Sequence, residues 1–207
     1  MPEIDSLHIA DPPELWQQLG FTVAEGTCPV SGVCLRLGAA GSGVTGWALR
    51  GAEGLRELPT DRPAACAPMA VPPHPNGVIA LDHVVVATPD IGRTTAAFEA
   101  HGIPLRRTRE AGSPGRPMTQ AFFKLGLIVV EVVGPPAAGP GAASFWGLAF
   151  TVAALDATAS YFGGRLRPAT PAVQPGRRIA TLDRAAGSTV PIAFMSVSEA
   201  GPVSARQ

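Results

Sequence analysis

The middle of the chain has the clearest alternation of hydrophobic and polar positions. Residues 80–87 form a β-branched run that predicts a buried strand, and Thr88-Pro89-Asp90 is typical of a helix start. The helix is predicted over about 91–100, where His101-Gly102 ends it. Three strands are predicted to follow, at 105–109, 119–125 and 127–133. The order of elements is therefore β-α-β-β-β.

The last third of the chain repeats this order. A strand is predicted at 146–152, and a short helix at 155–162 is stopped by Gly163-Gly164. Three further strands are predicted, at 166–169, 178–183 and 190–195. A repeated unit of this size predicts that the two copies pack together into one larger structure.

The first third is a weaker echo of the same pattern. Asp11-Pro12-Pro13 opens a helix that carries Leu15, Trp16 and Leu19, and Gly20 stops it. Four strands are predicted around it, at 5–10, 21–24, 28–37 and 44–49.

Proline and glycine divide the chain into segments. The six prolines from Pro59 to Pro75 make it unfavourable for this stretch to form the interior of a helix or a sheet. A second Gly/Pro-rich connection covers 134–144. The predicted organisation is a degenerate N-terminal module (1–58), a Pro-rich linker (59–77), a module (78–134), a second module (145–196) and a tail (197–207).

Composition narrows the class of protein. Apolar residues make up 46% and charged residues 15%, which is typical of a folded chain with a core. The formal net charge is zero and no basic stripe is present, so a nucleic-acid partner is not expected. No apolar run approaches the roughly 20 residues that span a bilayer, and the N-terminus does not resemble a signal peptide. We therefore expect a cytoplasmic protein without a membrane partner. The cysteines Cys28, Cys34 and Cys66 fit no common zinc spacing, and their odd number gives no disulfide framework. Reduced, mostly buried thiols are expected, with a structural disulfide or a catalytic thiol as the alternatives.

Two motifs carry a family resemblance. The segment 81–90 (LDHVVVATPD) resembles the opening strand and helix start of a vicinal oxygen chelate module, and 126–134 (GLIVVEVVG) resembles its closing strand. The resemblance is to bacterial, actinobacterial-type proteins of this superfamily with a glyoxalase-like or bleomycin-resistance-like domain. It implies an α+β fold in which paired β-α-β-β-β modules curl mixed sheets into a cup, with an extra N-terminal partial module.

The resemblance also implies a metal site. Metal-binding members hold a divalent ion with one ligand from the first and one from the fourth strand of each module, and His83 and Glu131 match the first pair. These donors suit Zn, Fe, Mn, Ni or Co. The second module departs from the pattern. Gly147, or at best Trp146 or Leu148, stands where His83 is matched, and Ile192 or Ala193 stands where Glu131 is matched. A third ligand would have to come from elsewhere, such as His74, His101, Gln120 or a second subunit.

Glu131 and His83 are the candidate catalytic residues. Glu131 is a lone carboxylate in an apolar strand, where an uncompensated charge is costly. We expect it to face the cup as a general base, to pair with a buried arginine, or to take up a proton with a raised pKa. His83 is a metal ligand, a second acid/base group, or a strand histidine that is hydrogen-bonded to a neighbour.

Four further residues are candidates for substrate binding: Gln120, Phe122, Trp146 and Arg178. Gln120 would line the cup as a hydrogen-bonding group, or lie on an edge strand. One of Arg177 and Arg178 would reach a carboxylate or phosphate with its planar fork, or both would lie in a solvated turn. Trp146 would lie at the module entrance or in the core.

Two functions remain open. The first is an enzyme acting on a small oxygenated molecule, by isomerase, lyase or dioxygenase-like chemistry. The second is a non-catalytic small-molecule binding protein, similar to the drug-sequestering resistance members, with a degenerate metal site. A small molecule is the expected partner in both, and a homodimer is compatible with both.

Overall fold

The computed structural model describes residues 1–52, 54–63 and 72–198. The helices are α1 (Pro13–Gln18), α2 (Ile91–Ala100) and α3 (Leu155–Phe162). The strands are β1 (Glu3–Ile9), β2 (Thr27–Val30), β3 (Val33–Leu37), β4 (Val44–Arg50), β5 (Thr60–Asp61), β6 (Val78–Ala87), β7 (Arg107–Ser113), β8 (Arg116–Leu125), β9 (Ile128–Gly134), β10 (Ser144–Val152), β11 (Thr170–Pro171), β12 (Arg178–Thr181) and β13 (Ile192–Ser196).

Strands β6 to β13 form one eight-stranded sheet in the order β11-β12-β13-β10-β6-β9-β8-β7. In each half the opening strand is parallel to the closing strand, β6 to β9 and β10 to β13, and the remaining strands continue antiparallel outwards. The halves meet where β6 and β10 pair antiparallel. The predicted α+β fold of repeated β-α-β-β-β modules in curled mixed sheets is confirmed.

The two helices of this sheet begin and end where the sequence predicts them. At the start of α2, Oδ1 of Asp90 accepts a hydrogen bond from the backbone N–H of Arg93 at 2.9 Å. This bond satisfies one of the amides that have no partner inside the helix. Helix α3 ends at Gly163, whose φ of 55° lies in the left-handed region that glycine adopts without strain.

Some boundaries in these modules differ from the prediction. Strand β7 runs beyond the predicted end at 109 to Ser113 and pairs there with Arg116, so the hairpin turn is confined to Pro114-Gly115. The predicted strand at 166–169 lies instead at Thr170–Pro171. Leu166 forms only an isolated bridge with Leu182.

The N-terminal strands form a separate five-stranded sheet in the order β2-β3-β1-β4-β5. Strand β1 is parallel to β3 and antiparallel to β4, and the short β5 is parallel to β4. The strands β1 and β4 are therefore paired antiparallel at the centre of this sheet, as β6 and β10 are where the two modules of the larger sheet meet. In this relation β4 and β5 correspond to the first and last strands of a much shortened module.

Two strand predictions in this segment are wrong. Residues 21–24 are not a strand, since only Ala24 forms an isolated bridge with Thr27. The stretch 28–37 is not one strand but the hairpin β2/β3. Its turn residues Ser31 and Gly32 have φ values of 45° and 85°, a two-residue turn that reverses the chain and that hydrophobicity alone does not reveal.

A single hydrophobic core connects the two sheets. The buried ring of Trp16 on α1 packs against Phe21 and against Phe150 of β10, at centroid distances of 4.6 and 6.2 Å. Beside it, the buried carboxylate of Asp11 accepts hydrogen bonds from Ser188 and Thr189, just before β13. Apolar packing and buried polar bonds therefore both join the N-terminal segment to the last module.

The predicted linker at 59–77 contains the strand β5, and its residues 64–71 lie outside the described residues, as do residues 199–207 of the predicted tail.

Burial raises the pKa of the free thiol of Cys28 to about 12. Cys34 is disulfide-bonded, so the expectation of a reduced thiol is wrong at that residue, and Cys66 lies outside the described residues. Among the described helices, none has the length and apolar character needed to cross a membrane.

Candidate functional site

His83 and Glu131 lie on neighbouring parallel strands at the centre of the eight-stranded sheet. His83 is opposite Val129 of β9, and Glu131 is opposite Val85 of β6, so the two side chains are diagonal neighbours on one face. Residues from both halves of the sheet line two cavities on this face. His83 and Glu131 contribute to both cavities, and they form the floor between them.

An irregularity in β6 places Asp82 beside His83. Leu81 pairs with Phe150 and His83 pairs with Ala149, so Asp82 is an extra residue in a β-bulge. In a regular strand, adjacent side chains point to opposite faces. Here Asp82 and His83 are both largely buried, with side-chain exposures of 11% and 14%, and Oδ1 of Asp82 lies 3.0 Å from Nδ1 of His83.

Asp82 is the most strongly bonded carboxylate near the cup. Its Oδ2 accepts hydrogen bonds from Nη2 of Arg177 at 2.6 Å and from Oγ1 of Thr151 at 2.8 Å. Burial by itself raises the pKa of Asp82, but the hydrogen bonds from His83, Arg177 and Thr151 outweigh it and hold that pKa well below its ordinary value. Asp82 therefore stays ionised at neutral pH and can accept the Nδ1 proton of His83.

Glu131 is held by an amide on the other side of the floor. Nε2 of Gln120 donates to Oε1 of Glu131 at 2.5 Å, and Oε1 of Gln120 accepts from the guanidinium of Arg109 through Nε at 2.7 Å. The second carboxylate oxygen, Oε2, faces Nε2 of His83 at 3.8 Å. The amide thus fixes one carboxylate oxygen and leaves the other turned toward the histidine.

This bonding pattern assigns the proton positions of a neutral His83. If Nδ1–H donates to Asp82, the lone pair of the ring lies on Nε2. Nε2 of His83 is then a hydrogen-bond acceptor, and it faces Oε2 of Glu131 at 3.8 Å. A single proton shared by the pair, or a donor group of a ligand, would satisfy both atoms.

The two cavities share the floor residues His83, Gln120 and Glu131. The first, which we call the arginine-side cavity, has a volume of about 380 Å³ and is bordered by Arg107, Arg109 and Phe122. The second, the tryptophan-side cavity, has a volume of about 610 Å³ and is bordered by Trp146, Ala149 and Ala193. Both volumes lie in the range of small-molecule sites.

Three of the four predicted substrate-binding residues border the cup. Gln120 lies in the floor, Phe122 in the arginine-side cavity, and Trp146 in the tryptophan-side cavity. Trp146 is not in the core, because 56% of its surface is exposed at the rim. The guanidinium of Arg107 lies 4.4 Å from the ring centroid of Phe122.

Arg178 is the exception. It borders neither of these cavities, and its Nη2 lies 2.9 Å from Oδ2 of Asp156, an exposed residue of α3. Its neighbour Arg177 bonds the carbonyl oxygen of Ser196 and the carboxylate of Asp82 instead. The arginine that reaches toward the site is therefore Arg177, and its charge is paired within the protein.

The histidines considered as further ligands lie outside the cup. His74 is buried, where its Nδ1 accepts from the backbone N–H of Thr22 at 3.0 Å and its Nε2 lies 3.2 Å from the carbonyl oxygen of Pro29. His101 caps the end of α2 and lies 2.7 Å from the carbonyl oxygen of Ala97. Neither can complete a site with His83 and Glu131.

Comparison with solved structures identifies the architecture. A triple mutant of 4-hydroxymandelate synthase from Streptomyces coelicolor matches 94% of this chain and 92% of its own, with a TM-score of 0.62 at 14% identity. Its superfamily is the vicinal oxygen chelate superfamily. The chain has the vicinal oxygen chelate fold.

Shorter members match in part. Methylmalonyl-CoA epimerase from Mycobacterium tuberculosis is 20% identical, covers 58% of this chain and 89% of its own, and has a TM-score of 0.47. A variant of the Streptomyces coelicolor epimerase in complex with 2-nitronate-propionyl-CoA is 18% identical, covers 59% and 96%, and also has a TM-score of 0.47. No protein-family model matches the sequence. No curated protein is similar to it in sequence.

The residues of the cup do not fit the metal that the vicinal oxygen chelate resemblance implies. His83 and Glu131 could share an ion, but the facing strands contribute Ala149, Ala193 and Met195, which offer no nitrogen or oxygen ligand. Within the described part of the chain, no group of three or more His, Cys, Asp or Glu side chains is arranged to hold a metal ion. Two protein ligands are fewer than the three or four of typical sites.

Gly147, the first of the residues matched to His83 in the sequence, has no room for a side chain. A Cβ atom at this position would lie 2.7 Å from the carbonyl oxygen of Pro191. Any residue other than glycine at position 147 would therefore clash with this carbonyl oxygen unless the backbone moves. The expected pair of donors in the second module is thus replaced by small or apolar residues.

Three residues of the hydrogen-bonded floor were not predicted from the sequence: Asp82, Arg109 and Thr151. One feature of the sequence points to Asp82: it is a charged residue next to a histidine within an apolar strand. Another points to Arg109, since the alternation of β7 places it on the same face as Arg107. Thr151 has no signal in the sequence, because its contact depends on the bulge.

Proposed function

We propose that the chain binds a small oxygenated molecule in the cup and that Glu131 acts as the base in isomerase- or lyase-type chemistry. The observation that carries this proposal is the position of Nε2 of His83 and Oε2 of Glu131, which lie 3.8 Å apart on the floor shared by two cavities. Both atoms are free to take a proton from a ligand that enters either cavity.

The proposed step is proton transfer next to a carbonyl group. Oε2 of Glu131 removes a proton from the carbon beside the carbonyl, and the electron pair of the C–H bond moves into the carbonyl to form an enolate. Return of a proton, from Glu131 or from Nε2 of protonated His83, to the same carbon completes an epimerisation. In a hydroxyketone, return of the proton to the former carbonyl carbon completes an isomerisation, with the hydroxyl proton transferred to the former carbonyl oxygen. The proton that leaves one carbon is balanced by the proton that is returned.

The bonded partners of the pair support these roles. Gln120 holds Oε1 of Glu131, which directs Oε2 toward the cup. Asp82 accepts from Nδ1 of His83 and so orients the ring with Nε2 toward Glu131. A base that is positioned before the ligand arrives does not lose rotational freedom during the reaction.

Deuterium exchange tests the proposal even when the product of the reaction is unknown. Small ketones, hydroxyketones and 2-oxo acids would be screened for binding by thermal shift, and each ligand that binds would be incubated with the protein in D2O. We expect NMR to show deuterium incorporation at the carbon beside the carbonyl with the wild-type protein, and its loss in Glu131→Gln. The matched control is Glu110→Gln, which removes an exposed carboxylate on β7. Ligands that bind but exchange equally in the wild type and in E131Q would contradict a role for Glu131.

A second candidate is the non-catalytic binding protein. It is favoured by the other wall of the tryptophan-side cavity. There Ala149, Ala193 and Ile179 contribute apolar side chains that cannot act as acids, bases or nucleophiles. On this proposal, ligands stabilise the wild type and E131Q alike, and neither protein causes exchange or conversion. The same experiment therefore separates the two functions.

A further inference from the structure

One wall of the arginine-side cavity is strongly basic. Arg106, Arg107, Arg109 and Lys124 all border it, and Glu131 is the one carboxylate among its lining residues. The formal net charge of the whole chain is zero. The concentration of positive charge at this place is therefore a local feature and does not follow from composition.

Strand register explains how these charges come to one wall. Arg107 and Arg109 are two residues apart on β7, so they share a face, and they pair with Phe122 and Gln120 of β8. Lys124 is two residues beyond Phe122 on the same strand and therefore lies on that face too. The next strand, β9, places Glu131 opposite Phe122. Arg107 thus lies in the same cross-strand row as Glu131, and Arg109 and Lys124 lie in the neighbouring rows on either side of it.

The cations of this wall have no acidic partner. None of the four forms an ion pair with an Asp or Glu in the described ranges, whereas Arg50, Arg93 and Arg177 elsewhere do. Arg109 is bound to the neutral amide of Gln120, and Arg107 stacks on Phe122. Arg107 and Lys124 are both exposed to solvent. They are available to an anion that enters the cavity.

We infer that the arginine-side cavity binds the carboxylate or phosphate group of an anionic oxygenated substrate, with Arg107 and Lys124 as its cationic partners. This inference rests on the proposed function, because it places the reacting carbon of the same molecule at Oε2 of Glu131. Strands β7 and β9 are two strand spacings apart, or roughly 10 Å. A small molecule with its anionic group several bonds from its acidic C–H bond spans that distance once the side chains reach inward.

Charged side chains on an edge strand have another use, since they prevent unwanted pairing of sheets. Strand β7 is an edge of the eight-stranded sheet. An edge-protecting role alone would not require the charges to border a cavity that contains Glu131, nor to remain without acidic partners. It also predicts no difference in binding between charged and neutral ligands, which makes the two explanations separable.

The test compares ligands that differ only in charge. Dihydroxyacetone phosphate would be measured against dihydroxyacetone, and 4-oxopentanoate against its methyl ester, with inorganic phosphate as a further probe. Calorimetric titrations would use the wild type, the double variant Arg107→Gln/Lys124→Gln, and Arg62→Gln, which removes an exposed cation outside the cup. The first pair reports a phosphate, the second a carboxylate.

We expect the anionic member of at least one pair to bind about tenfold or more tightly than its neutral counterpart, as hydrogen bonds to charged groups allow. The preference should persist in R62Q, disappear in the double variant, and weaken at about 0.5 M salt. Equal binding of charged and neutral members to the wild type, or a preference that survives in the double variant, would overturn the inference.

The variant E131Q separates this result from the proposed function. Removal of the one carboxylate in the cavity should leave the anion preference intact or strengthen it, while deuterium exchange is lost. If the protein prefers anions but deuterium exchange is unaffected in E131Q, the anion-binding site is supported and the role of Glu131 as the base is contradicted. If exchange depends on Glu131 but the protein shows no preference for anions, the role of Glu131 as the base is supported and the anion-binding site is contradicted.

Discussion

Nε2 of His83 and Oε2 of Glu131 face each other at 3.8 Å, and each residue is held from behind by a different partner. Asp82 bonds the far nitrogen of the imidazole, and Gln120 bonds the far oxygen of the carboxylate. Each of these partners is in turn bonded to an arginine, Asp82 to Arg177 and Gln120 to Arg109. These contacts form one chain of polar groups with an arginine at each end, and Nε2 of His83 and Oε2 of Glu131 face each other within it on the floor shared by the two cavities.

The first prediction concerns the Asp82 end of this chain. Asp82→Asn keeps the shape of the side chain but removes the charge that Arg177 and His83 share, with side-chain exposures of only 11% for Asp82 and 14% for Arg177. Breaking such a buried pair should lower the free energy of unfolding by about 3 kcal/mol in denaturant titrations. Asp156→Asn, which breaks the exposed contact with Arg178, is the control and should cause no measurable change.

Asp82 also has a positioning role that stability does not report. Loss of the Nδ1 acceptor should change the tautomer of His83, which the ¹⁵N shifts of its ring show directly, and should alter the pH profile of any exchange reaction. An unchanged ring spectrum in D82N would leave Asp82 with a structural role only.

The sequence predicted the sheet of the cup better than its floor. The β-branched runs of β6 and β9 and the Asp90 cap of α2 are local signals, so these elements were found near their true positions. The contacts of Asp82 depend on a bulge that breaks the two-residue alternation of β6. A pattern read from a regular strand sends Asp82 to the face opposite His83, and the hydrogen-bonded pair is then missed.

The choice between Arg177 and Arg178 shows the same limit. Both follow Pro175-Gly176, and the sequence contains no reason to prefer either. In the structure Arg177 is fixed by the carbonyl of Ser196 on β13 and by Asp82 on β6, two contacts that exist only after the module has folded. Register between distant strands, which sequence periodicity does not encode, decides which guanidinium faces the site.

The second prediction concerns Gly147 on β10, which the sequence matches to His83. Gly147→Ala places a Cβ atom 2.7 Å from the carbonyl oxygen of Pro191. That oxygen accepts from the backbone N–H of Leu148 at 2.9 Å, so it cannot move away without weakening this bond. We expect a loss of roughly 1–3 kcal/mol in the free energy of unfolding. Gly115→Ala at the tip of the β7/β8 hairpin meets no atom within 4 Å and should be close to neutral. Equal stability of the two variants would show that the sheet adjusts at this point.

The third prediction concerns the join between the two sheets. Asp11 is 2% exposed and its carboxylate accepts bonds from Trp16, Ser188 and Thr189, including 2.6 Å from Oγ of Ser188. Asp11→Ala leaves several buried donors without a partner and should lower the free energy of unfolding by about 3 kcal/mol, against about 1 kcal/mol for Ser188→Ala. Limited proteolysis should then cut the segment before β13 earlier in D11A than in the wild type. The same cleavage rate in both proteins would mean that apolar packing alone joins the sheets.

The last prediction is the pH dependence that His74 confers on stability. Burial lowers the pKa of His74 below its ordinary value of 6.5, and the contact with the carbonyl of Pro29 opposes this only in part. Because the unfolded chain then binds a proton more readily than the folded one, the contribution of His74 is complete above pH 6.5 and is lost as the pH falls toward the lower, folded pKa. The loss cannot exceed about 1.4 kcal/mol for each pH unit. Denaturant titrations between pH 7.5 and 5 should show a slope that is smaller in His74→Gln, and the ring proton of His74 should titrate in NMR with a midpoint below 6.5. A midpoint at or above that value would contradict the assignment of His74 as a neutral, buried acceptor for the amide of Thr22.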